Sequence, residues 1–224
     1  MGETTSATDG TPRQTSTSRR TLTWGGAGVA LASLFPLLSN AGLVFPAMDM
    51  SWVFTSSAAV GGVSAVVLIA SFVALALGVQ GETGIAGTST VGKAALVVFA
   101  VAHSTSIGYF RLPAPSAEAD PAVLALWSTL IWGSVLLSLA ALIVAATVVF
   151  RAGVVRGAAR WALPAVVSAT VIALLAGRIP SLAAIPIWIV ALLASEVLQL
   201  ATGVLYVAEG RRSRHAGGLR PASA

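Results

Sequence analysis

Residues 122–150 read AVLALWSTLIWGSVLLSLAALIVAATVVF, 29 residues without one ionisable side chain. A bilayer's hydrocarbon core requires about 20 apolar residues of α-helix. The run has no two-residue alternation, and in lipid only helices and closed barrels satisfy their own backbone. It is therefore read as a transmembrane helix. Five similar runs flank it, at 22–46, 52–79, 93–110, 161–178 and 182–207. Together they predict an all-α polytopic transmembrane bundle of six helices. The runs at 52–79 and 122–150 exceed the minimum, so they should tilt or extend past the bilayer. Pro36, inside the first run, predicts a kink there.

Composition agrees. The 224 residues are 56% hydrophobic and 9% charged, against about 25% charged in a soluble domain. A mean hydropathy of +0.89 leaves lipid as the medium that can accept the surface. With no cysteine, disulfides, thiolate metal sites and cysteine nucleophiles are excluded. The net charge is +5, but no surface interleaves basic and aromatic residues, so nucleic acid is not an expected partner. The bilayer is. The 12 arginines against one lysine match a high-GC bacterial genome, which is an association and not a physical argument.

Charge also orders the chain. Residues 1–21 are Thr- and Ser-rich and read as a disordered cytoplasmic tail, 22–207 as the six-helix domain, and 208–224 as a basic cytoplasmic tail. With the N-terminus inside, the inner segments hold Arg13, Arg19, Arg20, Lys93, Arg151, Arg156, Arg160, Arg211, Arg212, Arg214 and Arg220. The outer ones hold only Arg111 and Arg178. The positive-inside rule then puts both termini in the cytoplasm of a multi-pass cell-membrane protein. Trp24, Trp161 and Tyr206 fall at inner helix ends and Trp52 and Tyr109 at outer ends, where amphipathic rings suit the headgroup level. Ser18-Arg19-Arg20-Thr21-Leu22 resembles a twin-arginine export signal, but Thr23 breaks the usual continuation, and a basic anchor is the preferred reading.

Helix packing in lipid uses small residues that let backbones approach. Ala165, Ala169, Ala173 and Gly177 form one such ridge, and Ser57, Gly61 and Ala65 a shorter one. The ridges serve the bundle itself or an interface with a membrane-protein partner or second copy. No internal repeat is evident.

Two ionisable groups fall deep in the bilayer, His103 and Glu196. Such groups cost about 2.5–3.5 kcal/mol or more at the helix centre, so they face the bundle interior and find partners. Ser106 and Gln199 each lie three residues on, on the same helix faces, and Gly203 continues the Glu196 face. One reading makes His103 and Glu196 an embedded pair that relays a proton or binds a cation or polar solute. The other gives each a structural hydrogen bond. Arg178 is read as snorkelling to headgroups, or as guarding an outer vestibule with Asp49, Glu118 and Asp120.

Other motifs are weak. Met48-Asp49-Met50 offers two soft ligands only, and no metal site is expected. Gly87 to Ala94, GTSTVGKA, is one residue from a phosphate loop, but it has no preceding strand and Ala94 replaces the magnesium-binding hydroxyl. Nucleotide binding is not expected. No Gly-x-Ser-x-Gly or His-Glu-x-x-His appears, and no cofactor or enzymatic activity is expected. Two function classes remain. An accessory or assembly subunit is favoured by small size and sparse interior polarity. A small transporter or channel-like protein, using His103 and Glu196, is the alternative.

Overall fold

The computed structural model of the chain describes residues 19–44, 57–111, 115–116, 118–176 and 187–217. Those residues form helices and short loops, with no strand among them. The helices are α1 (Arg19–Val44), α2 (Ser57–Leu77), α3 (Thr90–Arg111), α4 (Pro121–Ala152), α5 (Ala162–Ala176) and α6 (Ile187–Gly217), with a 3-10 turn at Gly157–Trp161 before α5. Five stretches are long and apolar enough to cross a membrane: Arg19–Leu38, Ala59–Leu77, Thr90–Gly108, Pro121–Ala152 and Gly157–Leu175. The run at 182–207 is carried by α6, which begins at Ile187.

Each helix packs on its neighbours in the chain, and α6 returns to α1 in the most extensive contact of all, closing a ring. The helices alternate in direction. Arg19, Arg20, Lys93, Arg151, Arg156, Arg160, Arg211 and Arg212 therefore gather at one end, here the basic end.

The α1–α6 seam rests on glycine. A Cβ on Gly203 would lie 2.5 Å from the Ala30 nitrogen and 2.6 Å from the Gly26 oxygen. Only a residue without a side chain permits that approach of two backbones. One turn on, Tyr206 fills the space beside Gly26 and is 1% exposed. It is thus a core residue and not the interfacial ring its position suggested. Gly210 extends the seam against the Arg19 oxygen and Thr23. That contact explains why α6 runs through Gly217, into the segment read as a tail.

The half of the ring toward the basic end is packed solid. Leu75, Leu96, Leu142, Leu163 and Val149 are buried there. Ile85 and Val155, from the two loops at that end, are fully buried as well. The α2–α3 loop is fixed by its bonds to α1. Glu82 accepts from the backbone N–H groups of Arg20 (3.1 Å) and Thr21 (2.8 Å). Thr21 in turn accepts from the Val79 N–H at 2.8 Å. A carboxylate so placed satisfies donors that a helix start leaves open. At the next loop Gly153 closes α4 with a left-handed φ of 63°, and Arg160 donates to the Phe150 carbonyl at 3.0 Å with its guanidinium over the Phe150 ring.

The phosphate-loop-like stretch is a helix start. Ser89 accepts from the Gly92 N–H at 3.1 Å, an N-cap of α3. Gly92 packs against Val148 of α4. Asp120 caps α4 by accepting from Ala122 N–H at 2.8 Å, ahead of Pro121 in the first turn. Trp24 and Trp161 are exposed at the basic end. The tail 1–18, Met48-Asp49-Met50, Trp52 and Arg178 lie outside the described residues, as does the side chain of Tyr109.

Candidate functional site

The half of the ring away from the basic end is not solid. It holds a cavity of about 290 Å³ bounded by α1, α2, α3 and α6. Pro36 lies in its wall and explains part of its chemistry. Proline has no N–H, so the carbonyl four residues back loses its helical donor. That carbonyl belongs to Ala32, and Ser64 of α2 donates to it at 2.7 Å. The helix thus continues through Pro36 with its freed acceptor satisfied by a neighbour. Ser33 beside it donates to Val29 within α1 at 2.9 Å.

The polar wall facing α1 and α2 comes from α3 and α6. His103 and Ser104 line the cavity from α3, Glu196 and Gln199 from α6. Gln199 Nε2 lies 3.0 Å from His103 Nε2, so α3 and α6 are bridged across the ring by side chains. With the amide nitrogen facing the ring, Gln199 donates and His103 Nε2 accepts. Phe99 stacks on the imidazole at 5.2 Å, and Phe72 meets Phe99 edge-on at 5.0 Å. These rings fix the histidine and form the floor that separates it from the basic end. A second void beneath, beside Phe72, Phe99 and Leu142, is only about 10 Å³. That is at the lower limit for one water, so the floor is closed.

Of the four expected site residues, three line the cavity: His103, Glu196 and Gln199. The direct bond is between His103 and Gln199, with Glu196, itself buried, one turn away on α6. Ser106 is buried but donates to the His103 carbonyl at 2.8 Å within its own helix. It belongs to α3's backbone and not to the cavity. Sequence reasoning missed Ser33, Ser64 and Ser104, and read Pro36 only as a kink. Ser104 Oγ is buried with no hydrogen-bond partner among the described residues.

Of the two small-residue ridges, Gly61 and Ala65 line the cavity on α2, and the side chain of Ser57 lies outside the described residues. Ala165, Ala169 and Ala173 of α5 are half-buried, and Gly177 falls outside the described residues. A close backbone approach occurs at Gly26 and Gly203. Among the described residues no group of three or more His, Cys, Asp or Glu could hold a metal ion.

No family model, curated protein or solved structure matches the chain.

Proposed function

We propose that the chain is a multi-pass protein of a bacterial cell membrane, crossing six times with both termini in the cytoplasm. We further propose that it is a small transporter or channel-like protein whose cavity takes up a small hydrophilic solute or ion at mid-membrane depth. One observation carries this reading. His103, Glu196 and Gln199 share one cavity of about 290 Å³, in a bundle otherwise packed with apolar side chains. That volume equals roughly ten waters. Purely structural hydrogen bonds need no such space, and a void among apolar helices costs stability.

The closed floor at Phe72 and Phe99 supports a state entered only from the outer side, as alternating access requires of one of its two states. Basic residues clustered at the opposite end support the orientation. The accessory-subunit reading, preferred from sequence, keeps one argument. The half of α4 from residue 122 to 137 has no buried residue and presents Leu126, Leu130, Trp132, Leu136 and Leu137 outward. Lipid covers such a face as readily as a protein does, so it does not outweigh the cavity.

The test is proton and small-solute flux in proteoliposomes. Wild-type protein should conduct above empty vesicles, and Glu196→Gln and His103→Ala should each remove most of that flux. Flux equal to wild type in both variants would exclude the cavity as the pathway.

A further inference from the structure

We propose that the turn between α4 and α5 is a binding site for the phosphate headgroup of an anionic membrane lipid. The site needs the chain to lie in a bilayer and is independent of what the cavity carries. Arg151, Arg156 and Arg160 fall within one ten-residue stretch. Phe150 gathers its two ends. It precedes Arg151 in the chain, the Arg160 guanidinium lies 3.9 Å from its ring centroid, and Arg160 donates to its carbonyl at 3.0 Å. Trp161 meets the same ring edge-on at 4.9 Å. Gly153 and Gly157 turn the chain in between, at φ of 63° and 59°, values that favour glycine. Arg160 is thus the fixed member, and Arg151 and Arg156 are the exposed ones. Guanidinium groups match phosphate with paired, charge-assisted hydrogen bonds.

Nothing acidic offsets these cations locally. The sequence has no Asp or Glu between Asp120, at the far end of α4, and Glu196, in the cavity wall. The described acidic groups at the basic end are Glu82 and Glu209. Glu82 is engaged by the start of α1, which packs on α2 and α6 across the ring. Glu209 shares its turn of α6 with Arg211 and Arg212. The surroundings select a lipid over a soluble anion. Of neighbouring helices, α4 and α5 make the least extensive contact. From the arginines toward mid-membrane, α4 presents Val144 and Ile143 outward. Acyl chains lie along that apolar face while the phosphate stays at the arginines. Trp161, exposed beside Arg160, is the kind of ring that sits at headgroup level.

The test is a thermal-shift titration of the purified full-length chain in dodecyl maltoside at constant ionic strength. The probes are dioleoylphosphatidylglycerol, dioleoylphosphatidylcholine, glycerol phosphate and inorganic phosphate. Phosphatidylglycerol should raise the Tm saturably, and the zwitterionic lipid and the two soluble anions should not. Arg151→Gln and Arg156→Gln should each weaken phosphatidylglycerol about fivefold, and together about 25-fold. Arg156→Gln alone, at an exposed position, carries the same readout where the double variant does not fold. Arg211→Gln with Arg212→Gln removes the same charge from α6 at the same end and should leave the titration nearly unchanged. Equal shifts with phosphatidylcholine would overturn selection of an anionic headgroup. Equal shifts with glycerol phosphate or inorganic phosphate would overturn the lipid in favour of a soluble anion. An equal loss in the Arg211 and Arg212 double variant would overturn the site at the turn in favour of diffuse charge. No shift with any probe, beside proteoliposome flux that Glu196→Gln removes, would overturn this proposal and leave the cavity's role standing.

Discussion

Gly203 has a Cβ position already occupied by backbone atoms of α1 at 2.5–2.6 Å. A rotamer change cannot relieve such a clash, because the first side-chain atom is fixed by the main chain. Gly203→Val should therefore cost at least about 2–3 kcal/mol, the upper range for overpacking. A Tm drop in detergent would register it. Gly133 on α4 has nothing within 4 Å of its Cβ position, so Gly133→Ala should be neutral or gain up to about 1 kcal/mol of helix propensity. Equal effects of the two substitutions would contradict the seam. His103, Glu196 and Gln199 were legible in the sequence because polar groups stand out in an apolar helix. The bond between His103 and Gln199 was not, since it depends on how two helices rotate across the ring. Ser33, Ser64 and Ser104 escaped notice because serine in a helix usually satisfies itself on the preceding turn. Ser33 and Ser106 do this, Ser64 does not, and sequence alone does not separate the cases.

At the scale of elements, the Pro36–Ser64 relation makes a double-mutant prediction. Ser64→Ala leaves the Ala32 carbonyl without its donor at 2.7 Å, an expected cost of about 1–3 kcal/mol. In a Pro36→Ala background the helix recovers an N–H for that carbonyl, and the same serine change should cost far less. Additive Tm losses would refute the coupling. The Glu82 cap makes another. Removing it by Glu82→Ala should cost about 1 kcal/mol and raise hydrogen exchange in peptides covering Arg20 and Thr21, with little change in α3. The helices themselves were readable from their apolar runs, and the observed ends differ by a few residues for identifiable reasons. Ser89 and Asp120 cap earlier starts than apolarity marked, and Gly210 prolongs α6 through its packing on α1. The dominant α1–α6 contact was not readable. Its glycines, Gly26 and Gly203, sit in different helices, far apart in sequence, and no spacing within one helix connects them.

For the molecule as a whole, a ring with a solid half and a hollow half explains why so few polar residues suffice. They converge on one space. Orientation is separately testable, and the absence of native cysteine makes single reporters clean. Thr88→Cys, at the basic end, should react with a membrane-impermeant maleimide only after cells are opened. Glu118→Cys, exposed at the other end, should react in intact cells. The central claim is that the hollow half is reached from outside and stops at the floor beneath His103. It is tested most directly by the same reagent on two positions along α3. Gly108→Cys, in the cavity wall with open space at its Cβ position, should be modified in intact cells, and Ala100→Cys, about two turns deeper and fully buried, should not. Protection of Gly108→Cys under conditions that label Glu118→Cys would contradict the account.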